Sequence, residues 1–596
     1  MAALLHLPVA AEDAPPAFYM TKLEEREQHI MKVAEDPEWL AKTGQVWKFW
    51  YAQWFFKQGR VKEGQAIVRG EADKVQAPPK PPRKVYHKGF FPMWGILDTY
   101  LGYGRMMDAE TRNVIKAIYT ENDGVPLYKG STSNLSMLAG VNLHLVLKTW
   151  GLESLCPYVR KDINPKDVDR SKFLTQRIDH IARYGSGEFA SRPYSGYNLL
   201  PLLTLYKHAG PEMKQKALMA YELSLAHAAP TWLRGHWAVA SGRSYPAPYG
   251  QRPATNIGHL WYYFGGLAPG VSLNSSIVAM TSDYRPPQMI LDAATDRSKP
   301  YVARSRFDGK NRFQYTYMNK RYALFSNTES GRHAIIGQCY PYGVMWDETD
   351  PAKGSFLWIT VPGNDGPKLR DHVHGVSDHY IQYLQHEGSL LMVVDGLDQE
   401  KRAHPGCWHP YVLCHVPAGA KAVLNEAESD GRIFFHFNNV LIGIQATEKF
   451  TWSGKPGTYS DPHSTGSEFR IKGVNMAVAL ETALPEDFGA GSPDAQLKSF
   501  RDAIVGKSKL HCVAAPGQST VAHYMDRHGV EMERPYTGMK KNTSKIHGKP
   551  VNYESWPLVD NPWMRQEWES DTATITDGKI VRVYDLGNWT ISETAK

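Results

Sequence analysis

The stretch from Arg234 to Arg252, RGHWAVASGRSYPAPYGQR, places His236, Ser241, Arg243, Tyr245, Tyr249 and Arg252 between two helix-like segments. Its glycines and prolines break any helical pattern, so it reads as a loop. Loops held by a rigid scaffold are where reactive side chains concentrate. Two further polar clusters precede it, each ahead of an apolar helical run. One is Ser131-Thr132-Ser133-Asn134. The other runs from Glu188 through Ser191 and Tyr194 to Tyr197-Asn198. Each cluster has an ordinary explanation: Ser131 or Ser133 as a helix cap, the tyrosines as core, Glu188 as an ion-pair partner of Arg192, the arginines as solvated surface. Three such clusters at the starts of successive helical hairpins are less ordinary.

The residue types suit one reaction. β-Elimination across C4–C5 of a uronic acid removes a weakly acidic proton beside a carboxylate. Amide and guanidinium donors at that carboxylate stabilise the enolate-like intermediate. A histidine or tyrosine takes the C5 proton, and a tyrosine protonates the departing O4 oxygen. Asn134, His236, Arg243 and Tyr245 supply that set, with Glu188, Tyr194, Tyr197, Tyr249 and Arg252 as substrate-binding candidates. A glycosidase instead needs two facing carboxylates. Only Glu188 is acidic within the clusters, so a second acid would have to come from a residue such as Asp179 or Glu222. Arg304 and Arg306 are candidates for a substrate carboxylate, with surface arginines as the ordinary alternative.

These residues must be carried by helices. Helical periodicity marks Lys22 to Val33, then Val46 to Phe56 with Trp47, Trp50, Tyr51 and Trp54 on one face. Further helical pieces are Met93 to Leu101, Ala109 to Tyr119, Asn134 to Trp150, Lys172 to Tyr184, Gly196 to His208, Glu212 to His227 and Ile257 to Phe264. Helical hairpins with short breaks and no strict repeat predict an incomplete α/α toroid. Loops one hairpin apart return to the same rim of such a ring, which lets the three clusters converge. Near residue 300 the pattern changes to short strands separated by turn residues, among them Arg312 to Met318, His333 to Gln338, Ser389 to Val394 and Val474 to Glu481. The expected fold class is α+β and multidomain. It has an N-terminal helical segment (1–76), a proline-rich linker (77–89), a toroidal catalytic domain (90–300) and an antiparallel β-sandwich domain (301–596).

This order resembles the polysaccharide lyases of the chondroitin AC and hyaluronate lyase type, and the toroidal alginate and glucuronan lyases grouped in family thirty-eight. Thr132-Ser133-Asn134-Leu135 is similar to their Thr-Glu-Asn-His motif, with Leu135 where the motif has histidine. Glu188…Ser191…Tyr194 is similar to their Glu-x-x-Ser-x-x-Tyr element, and Ser241-Gly-Arg243-Ser-Tyr245 to their Ser-Arg-x-Tyr element with one extra residue. The resemblance implies that Asn134 neutralises the carboxylate, His236 is the base or assists the tyrosine, and Tyr245 is the acid. It implies an anionic uronate polysaccharide as substrate, alginate or glucuronan ahead of a glycosaminoglycan, and a periplasmic or secreted protein. The rival functions are a uronan C5-epimerase, an inverting α/α-barrel glycosidase and a non-catalytic carbohydrate-binding protein.

Composition narrows the field. A net charge of +7 without a dense Lys/Arg block argues against nucleic acid and suits a polyanionic ligand. No apolar run approaches the ~18 residues of a membrane span. The start of the sequence lacks the basic region of a signal peptide. Five cysteines are too few and too scattered for a disulfide framework. The chemistry requires no cofactor. Asp371-His372-Val-His374 with Asp378-His379 could hold a structural divalent metal in the β domain; hydrogen-bonded histidines are the alternative. Cys407-Trp-His409 and Cys414-His415 match no standard zinc spacing.

Overall fold

The computed structural model describes residues 19–43, 45–76, 90–120, 133–154, 170–185, 190–191, 194–241, 257–267, 273–307, 312–329, 342–348, 355–360, 380–396, 411–417, 419–452, 467–515, 517–538 and 543–596. The N-terminal half is helical: α1 (Leu23–Ala34), α2 (Pro37–Lys42), α3 (Gln45–Lys57), α4 (Val61–Gln76), α5 (Phe90–Tyr103), α6 (Ala109–Thr120) and α7 (Ser133–Trp150). It continues with α8 (Arg170–Tyr184), α9 (Ser195–His208), α10 (Pro211–Ala228), α11 (Gly258–Phe264), α12 (Asn274–Thr281) and α13 (Gln288–Thr295).

Two kinds of helix are present. α6 buries Thr111, Ile115, Ile118 and Tyr119, a single stripe at helical spacing, and leaves its other face wet. In α3 the stripe of Trp47, Trp50, Tyr51 and Trp54 is buried, but so are Phe49, Ala52, Phe55 and Phe56 on the remaining faces. α9 is nearly as enclosed, with Pro201 tolerated inside it. A helix apolar on every side must have neighbours on every side. α3 packs on α4, α5 and α12; α5 packs on α7; and α9 packs on α5, α7, α10 and α12.

Polar contacts join these helices end to end. Trp94 Nε1 donates to Thr204 Oγ1 (2.9 Å) and Tyr51 Oη to Asn274 Oδ1 (3.1 Å). Fully buried Asp98 on α5 collects Trp50 Nε1 (3.0 Å), Lys207 Nζ (2.8 Å) and His208 Nε2 (3.0 Å). Burial opposes its charge, yet the Lys207 ammonium and His208 outweigh burial and hold the carboxyl well below the usual carboxylate range.

From residue 301 the described residues are mainly antiparallel sheet, interrupted by a helix at Pro493–Lys507. Among the described residues the largest sheet has thirteen strands, with Tyr322–Glu329, Arg312–Met318, Tyr301–Phe307 and Val559–Asp560 side by side at its centre. A six-stranded sheet stacks on one face of it. Leu324, Val344 and Leu357 meet Leu390, Met392 and Leu480 there. The alternate residues Leu391 and Val393 point the other way, onto Ala522, Tyr524 and Met532 of a five-stranded sheet. Burial on both faces explains why Ser389–Val394 reads as an unbroken apolar run.

The large sheet turns its other face to the helical half. Ala323, Phe325, Met345 and Phe356 pack there against Leu233, Ala238 and Ala240. The C-terminal strands, although part of the same sheet, bury Val559, Met564, Ile575, Tyr584 and Leu586 in the helical core. Arg183 binds both Asp179 and Asp571, and Gln566 Nε2 donates to the Ala182 carbonyl. The linker 77–89 and the strand expected at His333 to Gln338 lie outside the described residues.

Candidate active site

Asn134 is the second residue of α7. It is buried, and its Oδ1 accepts no hydrogen bond. An unpaired buried acceptor costs stability, about 1–3 kcal/mol, so capping does not explain this asparagine. α7 lies along α9. The first turn of α9 follows a bend at Ala190, whose φ is 45°. Ser195 N donates to the Ser191 carbonyl (2.7 Å), and Asn198 Nδ2 to the Tyr194 carbonyl (3.3 Å). Ser191 Oγ, Ser195 Oγ and Asn198 Oδ1 are buried without partners. Tyr197 stacks on Trp47 (5.5 Å between ring centres), tying this turn to α3, and Tyr194 lies against Tyr197 at 6.5 Å.

The His236 segment is fixed by a two-residue hairpin. Trp232–Leu233 pairs with His236–Trp237, and the turn residues Arg234 and Gly235 have φ of 46° and 113°. Two positive φ values in succession match the right-handed twist of a hairpin. Gly235 is required for space as well: a Cβ there would lie 2.7 Å from Leu267 N. Arg234 Nη1 reaches Asp347 Oδ2 (2.6 Å) across the junction with the sheet. Burial raises the Asp347 carboxyl pKa, against the pull of Arg234. Further along, Gln314 Nε2 on the sheet donates to the Ala240 carbonyl. His236, partly buried, therefore sits on a segment anchored at both ends.

These elements meet around a cavity of about 70 Å³ between helices and sheet. Ser195 and Asn198 of α9, Ser224 and His227 of α10, and Trp237 and Val239 of the hairpin segment line one side. Ser305, Gln314 and Thr316 line the other, with Arg304 and Asn561 at the margin. The volume is well below the ~300 Å³ of a typical ligand cleft, so the described residues form a small polar floor. His227 stacks flat on Phe307 (4.8 Å, 8°), and burial lowers its pKa to about 4. The ring is neutral at pH 7. The described lining holds amides, hydroxyls, an imidazole and a guanidinium, and among the described residues it holds no carboxylate.

The sequence-based candidates divide accordingly. Asn134 stands at the start of α7, and Tyr194 and Tyr197 at the start of α9, which packs on it; His236 adjoins Trp237, which shares the cavity with Asn198. Neither Asn134 nor His236 lines the cavity floor itself. Glu188, Arg243, Tyr245, Tyr249 and Arg252 lie outside the described residues, as do Asp371, His372, His374, Asp378, His379, Cys407 and His409. Ser195, His227 and Gln314 were not singled out, and Asn198 was named with its cluster but given no role. Asn198 carried a signal, an amide in the first turn of an otherwise apolar helix.

Other expectations are corrected. Glu222 is not free to be a glycosidase acid, since Arg582 Nη2 (2.8 Å) and Tyr584 Oη (2.9 Å) both donate to its Oε2. Asp179 is held by Arg183 Nε at 2.6 Å. Arg306 is not a surface residue. It is buried beneath Trp568 (4.2 Å) and donates to the Glu554 carbonyl. Arg304 is half-exposed, pairs with Asp560 and covers Trp556. Cys414 and His415 cannot share a metal, because neighbouring strand residues face opposite ways: Cys414 enters the inter-sheet core and His415 packs on Trp358. Among the described residues no three His, Cys, Asp or Glu side chains gather as a metal site, and no helix is long and apolar enough to cross a membrane. No protein-family model matches the chain, and no curated protein matches it in sequence.

Proposed function

We propose that the chain is a polysaccharide lyase that cleaves a uronate polymer, alginate or glucuronan, by β-elimination. On this reading the helical half is an incomplete α/α toroid. Its inner wall runs α3, α5, α7, α9, α12 and back to α3, backed by α4, α6, α8 and α10; the order of helix contacts supports that arrangement. The face-to-face sheets form the β-sandwich. One observation carries the functional reading. The first turn of α9 and the segment beside His236 share a floor at the junction of helices and sheet, and the amides, hydroxyls and imidazole described there suit an elimination site better than a carboxylate pair.

The proposed roles follow from the chemistry. Asn134 and Arg243 bind the uronate carboxylate and stabilise charge as the C5–H bond breaks. Electrons from that bond form the C4–C5 double bond and expel O4, which takes a proton from Tyr245. Where C5–H and O4 lie on the same face, Tyr245 serves as both base and acid. Where they are opposed, His236 takes the C5 proton. Glu188, Tyr194, Tyr197, Tyr249 and Arg252 hold the flanking sugars. The engagement of Glu222 with Arg582 and of Asp179 with Arg183 supports this reading over a glycosidase.

The test is ultraviolet absorbance during incubation with alginate, glucuronan and glycosaminoglycans. The expected result is the chromophore of an unsaturated uronate from at least one polymer, abolished in a folded Tyr245→Phe variant. Absence of the chromophore with every uronan, or full activity in Tyr245→Phe, overturns the proposal or the assignment of the acid respectively.

A further inference from the structure

A second cavity, of about 500 Å³, lies on the opposite side of the large sheet from the cavity beside His236. Strand alternation places it there: Ser305, Gln314 and Thr316 face the first cavity, while Val302 and Tyr315 face the second. Arg304 and Asn561 border both, where the Val559–Asp560 strand ends its short pairing with Arg304 and Ser305. The volume falls in the range of ligand-holding clefts, about 300–1,000 Å³.

Two buried side chains on its wall have unmet hydrogen-bonding capacity. Gln385, 5 % exposed, donates Nε2 to the carbonyls of Leu324 (2.9 Å) and Glu387 (3.0 Å). Those two bonds fix the orientation of the amide, and they leave Oε1 buried with nothing donating to it. Ser326, 1 % exposed, has an Oγ with no partner. Buried polar groups are nearly always satisfied, so two orphans on one cavity point to something that satisfies them. An amide oxygen can only accept; its missing partner must be a donor such as O–H. Part of the remaining wall is aromatic: Tyr553 packs on Trp556 at 5.1 Å, and Tyr315 lies 6.3 Å from the same indole; Val302, Leu384, Ile546 and Val551 supply aliphatic surface beside them. Asp560 stands at the margin, paired with Arg304 and with Arg565 (3.2 Å).

We infer that this cavity is a saccharide-binding site separate from the cleavage site, taking a hydroxyl-bearing pyranose ring. Ring hydroxyls donate to Gln385 Oε1 and Ser326 Oγ, and the apolar C–H face of the sugar lies against the aromatic wall. Sulfate has no such donor and would set oxygen against oxygen at Gln385; phosphate keeps an O–H, but either anion would set charge against charge at Asp560 and has no apolar face for the aromatic wall. An aliphatic ligand would leave both orphans unpaired. The site stands whether or not the chain is a lyase. If it is, the site anchors a second stretch of the polymer, and binding in two places raises apparent affinity by effective concentration.

The test uses the full chain, with methyl glucopyranoside, methyl mannopyranoside and methyl glucuronate as probes and inorganic phosphate as control, followed by calorimetry and saturation-transfer NMR. A pyranoside is expected to bind while phosphate does not. Ser326→Val, which fills the cavity and removes the acceptor, is expected to weaken binding about tenfold or more. Its thermal midpoint should be unchanged or higher; if the chain cleaves a uronan, kcat should be unchanged while KM for a long polymer rises. Ser326→Ala deletes only the orphan hydroxyl and serves if the bulkier change disturbs folding. Binding by none of the pyranosides, phosphate binding that competes with them, or equal affinity in wild type and both Ser326 variants overturns the inference. Loss of the lyase chromophore with sugar binding intact would instead sink only the proposed reaction.

Discussion

Replacing Glu222 by glutamine separates the lyase reading from its glycosidase rival. Glu222 is 3 % exposed and accepts from Arg582 and Tyr584, which reach it from the C-terminal strands. Glutamine keeps the shape and an acceptor for Tyr584, but leaves the Arg582 guanidinium without a full countercharge. Breaking a buried pair costs about 3–5 kcal/mol. Here Glu593 also contacts Arg582, at 2.6 Å, and that side chain is partly solvated. The expected loss is therefore lower, about 2 kcal/mol. For a body the size of the helical half this shifts its unfolding midpoint down by roughly 4–8 °C. The assay pairs a thermal scan with the initial rate at which new reducing ends appear in a uronan, which elimination and hydrolysis both produce, taken well below the transition. A lowered midpoint with a rate within about twofold of wild type is the expected pair. A rate loss of a thousandfold with an unchanged midpoint would make Glu222 a catalytic acid, and the argument from its engagement would be wrong.

Other perturbations follow from the same geometry. Asn134→Ala should lower kcat/KM on a uronan by roughly 10²–10³-fold, the usual effect of losing one oxyanion-type donor, without lowering the melting temperature, because Asn134 Oδ1 has no partner in the fold. Asp98→Asn should cost about 3–5 kcal/mol by denaturant titration, since it leaves Lys207 and His208 around a neutral side chain. His227 has a folded pKa of about 4 against 6.5 unperturbed. The unfolded chain then binds a proton between those values that the folded chain does not. Stability is complete above pH 6.5 and falls as pH drops through the window. Between pH 7 and pH 5 the loss from this one ring is about 2 kcal/mol. His227→Phe, which keeps the stack on Phe307, should remove that share of the acid sensitivity in paired denaturation curves at the two pH values.

Most of the helices were legible because period and length agreed. The pieces read at Asn134 to Trp150 and Gly196 to His208 differ from the observed helices by one residue at the start. The apolar stripe on α3 was legible too, but its enclosure was not. A stripe and an all-round apolar helix give the same tryptophans at i, i+3, i+4 and i+7, and only the neighbours decide between them. Helices α12 and α13 escaped because they are short and follow glycine- or proline-bearing stretches. The strands were visible as apolar runs, but no sequence pattern says which of two buried faces meets which sheet. The ion pairs were illegible for a simpler reason: Glu222 and Arg582 stand hundreds of positions apart, and no local pattern links them.

The same limit explains why the candidate site was only half readable. Asn134, Tyr194 and His236 stood out because a polar residue at the head of an apolar helix, or in a glycine-bearing loop, breaks the local pattern. His227 breaks nothing: a histidine in the last turn of α10 is what the helix dipole favours. Its place against Phe307 depends on how the sheet approaches the helices. Gln314 sits in a strand of ordinary alternation, and its bond to the Ala240 carbonyl exists only because the hairpin at Arg234 and Gly235 turns the chain back toward the sheet. The junction is thus set by that turn, where Gly235 has no room for a Cβ and Arg234 is held by Asp347. The floor beside His236 is a product of contact between the two halves of the chain, and each half alone carries only part of it.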